Sequence, residues 1–259
     1  MTDERAWRRG SSGVEGNVRT AAIWSQVRAL SESRQSELSR PLRVLDLGGG
    51  TGGLAVALAE QGHTVTVVDP SPDALASMSR RVAESDAADR ISAVRGDADT
   101  LATIAAPGSV DLLCCHGTLE YVEDPEATLA RIAEVLAPGG HLSLVTAQRV
   151  AAVIARALAG RFDRARTALT APDGRWGEED PVPRRFDRAT LAEMLTRAGF
   201  TTLETKGVRI FSDVVPSTFV DTEADRQALL ELEELASADA GRIGLSALGG
   251  AVHLIARRD

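Results

Sequence analysis

The sequence predicts an α/β protein built on a doubly wound, mostly parallel seven-stranded sheet, and three observations carry that expectation. Short strand-like runs alternate with helical stretches from Leu42 to about Val145, and strands separated in this way pair in parallel through right-handed crossovers. One such run, "VLDLGGGTGG" from Val44 to Gly53, passes directly from a strand into a glycine-rich turn that lets a ligand meet bare backbone. The chain has 259 residues and is 44% hydrophobic, enough for one sizeable α/β domain with additions or for two small domains.

The elements follow in order. "NVRTAAIWSQVRAL" has apolar residues at helical spacing and follows a polar start, "RRGSSG", that reads as mobile. "LRVLDL" is the first strand, "GLAVALAEQG" a helix ending at glycine, and "HTVTVVD" the second strand. "SPDALASMSRRVAES" is a helix with Ser71 as its cap and Pro72 in its first turn. "ISAVRGD" and "VDLLCCH" are the third and fourth strands, "DPEATLARIAEVLAPGG" a helix stopped by Pro138 and glycine, and "HLSLVTA" the fifth strand. "RVAAVIARALAGRFDRARTAL" is helical and basic, whereas "TAPDGRWGEEDPVPRRF" is rich in loop formers. "DRATLAEMLTRAGF" resumes as a helix, "TTLETKGVRIFSD" is the sixth strand, "EADRQALLELEELASA" a helix and "AVHLIARR" the seventh strand. The chain divides into an N-terminal helical extension, 1–40, and a main domain, 41–259, with an insertion at about 147–187 over the C-terminal edge of the sheet, where open α/β folds bind ligands.

Composition narrows the function. A formal charge of −8 argues against broad nonspecific attraction to nucleic acid, although a local basic surface can coexist with it. The two cysteines, Cys114 and Cys115, are adjacent, which excludes a disulfide framework or a cysteine metal set and suits buried packing. No metal site is expected. The first residues are charged with no apolar run behind them, and no segment is long enough to span a bilayer. The expectation is a cytoplasmic protein without membrane attachment.

The glycine loop could by itself serve a dinucleotide, a phosphate or S-adenosylmethionine, or only a tight turn. The lysine-serine ending of a phosphate-binding P-loop is missing. Asp69, at the end of the second strand, can accept from ribose hydroxyls. Asp46, ahead of the glycines, would repel a pyrophosphate but sit well under the ammonium group of a methionine-bearing ligand. That favours S-adenosylmethionine over a nicotinamide cofactor. In "RGDADTL", Asp97 is offered to the adenine amino group and the Ala98 amide to its ring.

"GNVRTAAIW", "VLDLGGGTG", "GHTVTVVDPS", "HGTLEYVEDP", "LAPGGHLSL", "GRFD", "GVRIFSD", "ALLELE" and "VHLIARR" resemble the tRNA 5-carboxymethoxyuridine methyltransferase family, within the Rossmann-like class I methyltransferases. The glycine loop marks only the superfamily; "GVRIFSD" and "ALLELE" are the specific part. The resemblance implies a methyl ester formed on the carboxymethoxy group of the tRNA wobble uridine, with S-adenosyl-L-methionine as donor. It makes Arg19 the cation that grips the methionine carboxylate, puts 1–40 over the donor as a lid, and sets Gly48 and Gly49 against the methionine part. Asp69 is placed at the ribose, Ala98 at the adenine and His116 near the sulfonium. With Asp46, Gly50, Pro70 and Asp97, these make up the expected donor site.

A carboxylate acceptor is already ionised at neutral pH, so transfer needs alignment and partial desolvation but no general base. No catalytic base is assigned. Recognition demands a cation near the acceptor, for which Arg209 is the candidate, and Tyr121 could stack on the nucleobase. Arg161, Arg164, Arg166, Arg175, Arg184, Arg185 and Arg188 are read as a cationic rim for RNA phosphates, with Trp176 as a stacking platform. Two other functional classes stay open: a small-molecule O- or N-methyltransferase, favoured by the acidic total charge, and a nonenzymatic donor-binding module. Oligomeric state is not readable.

Overall fold

The computed structural model describes residues 18–238 and 243–259; the side chains of 18, 19, 21 and 217 lie outside the described set, as does the expected mobile start. The chain runs α1 (Val18–Leu38), β1 (Arg43–Leu47), α2 (Gly53–Glu60), β2 (Thr64–Asp69), α3 (Pro72–Ala83), β3 (Ile91–Arg95), α4 (Leu101–Ile104) and β4 (Val110–His116). It continues with α5 (Pro125–Val135), β5 (Leu136–Ala147), α6 (Arg149–Leu158), α7 (Phe162–Thr170), α8 (Arg188–Arg197), β6 (Phe200–Val208), α9 (Glu223–Ser237) and β7 (Ala251–Arg258). The seven strands form one sheet in the order β3-β2-β1-β4-β5-β7-β6. All neighbours are parallel except β7, which is antiparallel to both β5 and β6.

Adjacent residues of the central strands point to opposite faces, and helices cover both. Leu45, Leu47, Leu113 and Cys115 pack with Leu129, Ile132, Leu191 and Leu195 on one side. Val44, Leu112 and Cys114 pack with Ile23, Val27, Leu54, Leu58 and Met78 on the other. The two cysteines thus belong to different cores, and burial pushes both thiols up. Local signals fix the helix starts. The Ser71 side chain accepts from the Ala74 N–H with Pro72 next in sequence, and Asp124 accepts from Ala127 with Pro125 beside it.

Four boundaries differ from the sequence reading. α1 runs on to Leu38. α5 stops at Val135, and the stretch through Pro138 joins β5 with a register shift against β4; proline has no N–H to donate to either a helix or a strand ladder. The basic helical stretch breaks into α6 and α7 at Gly160, whose φ is +70°. β6 ends at Val208, since Arg209 turns into the left-handed region at φ +58°. Among the described residues, no helix is long and apolar enough to cross a membrane, and no cluster of His, Cys, Asp or Glu is placed to hold a metal ion.

Candidate active site

From β1 the chain moves outward to β2 and β3, then crosses back to β4 on the other side of β1. That reversal opens a crevice at the C-terminal ends of the central strands. Asp46, Gly48, Gly49 and Gly50 reach it from β1, Asp69 and Pro70 from β2, Asp97 and Ala98 from beyond β3, and His116 and Tyr121 from β4. Arg19 lies in the first turn of α1, with its side chain outside the described residues.

The glycines are there for close approach. Gly48 has φ +73°, and a Cβ on it would fall 2.0 Å from Thr118 Oγ1. That hydroxyl donates to the Leu47 carbonyl at 3.1 Å, tying the β4 loop onto the end of β1. A Cβ on Gly49 would fall 2.5 Å from Asp46 Oδ2, whereas one on Gly50, at φ +57°, would meet nothing. The Gly50 N–H donates to Asp69 Oδ2 and the Ser71 N–H to Asp69 Oδ1, both at 2.9 Å, so Asp69 is aimed by two backbone amides. Asp97 caps the turn over 98–100 by accepting from the Asp99 and Thr100 amides, and Ala98 beside it is buried.

Asp46 is 3% exposed, and no hydrogen-bond donor reaches its carboxylate among the described residues. Burial first, and the nearby Asp69 second, push its pKa up to about 7. A buried carboxyl held this way is stabilised by a cation, and the ammonium group of a methionine-bearing donor is one. The residues present therefore fit the donor.

His116 takes part in a polar chain that the sequence reading did not contain. Its Nε2 lies 2.8 Å from Ser143 Oγ on β5, which lies 2.8 Å from His253 Nε2 on β7. Burial lowers both histidines, His116 to about 4, so both are neutral. The single hydroxyl proton of Ser143 can serve only one ring. His253 Nδ1 is buried without a hydrogen-bond partner among the described residues, and an N–H stranded there costs more than a bare nitrogen. Hydrogen-bond accounting thus assigns His253 Nε2–H as donor to Ser143, Ser143 as donor to His116 Nε2, and the proton of His116 to Nδ1. The signal available in the sequence was the polar residue in each apolar strand, "HLSLV" and "VHLIA".

Beyond β5 a cavity of about 370 Å³ lies between α6 and the turn after β6; Ala151, Ala155, Ile210, Phe211 and Leu245 give it apolar walls, and Arg156, Arg185 and Arg209 also border it. Arg209 Nε is 3.7 Å from Asp213 Oδ2. Glu120, also missed in sequence, lies between the crevice and this cavity. It is 4% exposed, its Oε1 accepts from the Ala147 N–H at 2.6 Å, and its Oε2 is buried with no hydrogen-bond partner among the described residues. Burial raises its pKa, while backbone hydrogen bonds and the Arg209 and Arg185 charges pull against that shift. Tyr121 is 63% exposed and free to stack.

The expected cationic rim is largely engaged inside the molecule. Arg185 pairs with the buried Asp180, Arg164 with Glu179 and Arg166 with Asp163. Arg175 donates to the Glu178 carbonyl, Arg184 to those of Val122 and Glu123, and Arg188 to Gln148 and Ser246. Arg161 is exposed. Trp176 is no open platform: it is 9% exposed, with the Arg156 and Arg164 guanidinium groups each 4.7 Å from its ring centre. These stacked cations occupy the faces that a base would need.

Comparison with known proteins agrees with the architecture. Residues 22–205 match the model of the methyltransferase domain. The S-adenosylmethionine-dependent methyltransferase of Mesorhizobium loti aligns at a TM-score of 0.55 with 25% identity, covering 84% of this chain and 91% of that one. The chain belongs to the class I S-adenosylmethionine-dependent methyltransferases and is an enzyme. Within that class it is 32% identical over 222 residues to the tRNA 5-carboxymethoxyuridine methyltransferase of Escherichia coli K12, covering 85% of this chain and 81% of that protein. A ubiquinone biosynthesis O-methyltransferase of Xanthomonas campestris is 37% identical over 120 residues, about half of each chain.

Proposed function

We propose that the enzyme transfers a methyl group to the carboxylate of 5-carboxymethoxyuridine at the tRNA wobble position, giving the methyl ester. The observation that carries this reading is the cavity beyond β5, with apolar walls and Arg209 turned out of β6 by a left-handed backbone. A non-glycine residue with positive φ is costly and concentrates at functional positions. An arginine there suits a carboxylate on a flat, weakly polar ring, because guanidinium donates two parallel hydrogen bonds. The likeness to the Escherichia coli enzyme extends through this region.

When bound, the donor supplies an electrophilic methyl group on a positively charged sulfur. In this reading Asp46 and Arg19 hold the two charged ends of its methionine portion. Asp69 holds the ribose beside Pro70, Asp97 and Ala98 hold the adenine, and the glycine turn admits the chain between them. The neutral His116, its proton on Nδ1, adds no charge to oppose the sulfonium. Arg209 aligns the acceptor carboxylate and Tyr121 stacks on its base. One carboxylate oxygen forms the bond to the methyl carbon while the carbon–sulfur bond breaks and its electron pair stays on sulfur. No proton moves, so no base is needed.

A second reading, a small-molecule O-methyltransferase, is favoured by the engaged arginines around Trp176 and by Glu120, a buried carboxyl able to take a proton from an acceptor hydroxyl. Nucleoside mass spectrometry on tRNA containing 5-carboxymethoxyuridine, incubated with labelled S-adenosylmethionine, separates the two. Label on the wobble nucleoside that mild alkali removes is the expected outcome. Absence of label, with donor binding intact, sinks the tRNA reading and turns attention to Glu120.

A further inference from the structure

Arg209 is the residue at which β6 stops, and its φ of +58° is one an arginine does not adopt unaided. The three residues after it show what holds it. Glu233, on α9, is 5% exposed; its Oε2 accepts from the Ile210 N–H at 2.9 Å, and its Oε1 accepts from Phe211 at 2.9 Å and Ser212 at 2.7 Å. On the other side the Gly250 N–H donates to the Arg209 carbonyl at 3.1 Å. A Cβ at Gly250 would fall 2.2 Å from Asp213 Oδ2, so the turn and the approach to β7 interlock.

Three consecutive amides that gather on one carboxylate form a nest, a geometry whose partial charges suit an anion. Here the anion is built in. The two most specific stretches, "GVRIFSD" and "ALLELE", are 14 residues apart in sequence, between Asp213 and Ala228, yet meet through this one side chain.

We propose that Glu233 is a positioning residue for acceptor recognition: its buried carboxylate collects the amides of 210–212 and so fixes the turn that presents Arg209 to the cavity. This rests on the reading that Arg209 meets the acceptor carboxylate. Glutamine at 233 has the same shape but sets an NH2 group against N–H donors, so the turn rearranges and Arg209 loses its aim.

Steady-state kinetics with tRNA carrying 5-carboxymethoxyuridine, together with calorimetric donor titrations, test this on Glu233→Gln, Arg209→Ala and the double variant. Loss of charge-assisted bonds in Glu233→Gln is expected to raise KM for the tRNA about tenfold while kcat and donor affinity hold. Because Glu233 acts through Arg209, it should add nothing in the Arg209→Ala background. Glu233→Asp, which keeps the charge on a shorter arm, should show the same pattern and serves if the glutamine variant does not fold. A wild-type KM in a folded Glu233 variant, or a defect that multiplies with that of Arg209→Ala, overturns the role. If the wild-type enzyme leaves this tRNA unmethylated, the functional reading falls and the role with it. If the wild type is active and Arg209→Ala is silent, only the role falls.

Discussion

Asp46 and Asp111 sit at opposite ends of the same sheet, one at the C-terminal end of β1 and one at the start of β4, and both are almost wholly buried. Asp111 accepts from Nη1 and Nη2 of Arg40, from the Arg43 backbone N–H, and from Nε and Nη2 of Arg43. Those bonds outweigh burial and hold it well below the usual carboxylate range. Asp46 has no donor among the described residues and is pushed up to about 7. The same side chain is thus a finished joint at one edge and an open valence at the other.

The comparison can be broken most forcefully at Asp111. Asp111→Ala leaves two arginines without their anion and should cost about 3 kcal/mol of folding stability, read as a lower urea midpoint, with donor affinity unchanged. Its stabilisation is present above the ordinary carboxylate pKa and is lost as pH falls toward the depressed folded value. A large drop in donor affinity in the folded variant would place Asp111 in the site and end the contrast.

Asp46→Asn should act in the opposite direction. Since the folded pKa is raised, ionisation of Asp46 destabilises the free protein progressively as pH rises from about 4 to about 7. Removing the charge should therefore raise stability at pH 8 by about 2 kcal/mol while weakening donor binding at least about tenfold. Calorimetry and thermal melts on one sample give both values. A variant that loses both properties would mark Asp46 as an ordinary structural acid.

The linkage also sharpens the wild-type comparison. Binding a cationic ammonium favours ionised Asp46, so donor affinity should fall as pH drops below about 7, by at most about tenfold per pH unit. Flat affinity between pH 8 and 6 would deny Asp46 that contact. The smallest effect is expected from Ser143→Ala, which removes the hydroxyl between His116 and His253. It should lower kcat about fivefold with donor affinity retained and shift the His116 ring nitrogens in 15N NMR; an unaltered tautomer would remove Ser143 from its assigned place.

The first five strands were legible because each contains a short apolar run followed by a local stop, and because Ser71-Pro72 and Asp124-Pro125 are capping signals that act within four residues. The glycine turn was legible for the same reason. What escaped depends on contacts between residues far apart. Arg209 ends β6 only because Glu233 and Gly250 seize the backbone around it, so the strand appeared to reach Asp213. Trp176 sits in loop-like sequence, yet helices before it lend it Arg156 and Arg164, and acids of its own segment neutralise Arg164 and Arg185. Glu120 and Glu233 drew no assignment because nothing in their neighbours announces burial.

The position of β7 bears on how the enzyme comes into being. β3, β2, β1, β4 and β5 are all translated before Gln148, and they already form a continuous sheet that carries the glycine turn. β6 follows, but its place is next to β7, so it has no strand to join until residues 251–258 leave the ribosome. A domain generally folds as a unit. The glycine turn and the strands beside it therefore precede in synthesis the two strands that extend the sheet past β5, and the sheet is complete only when β7 has joined β5 and β6.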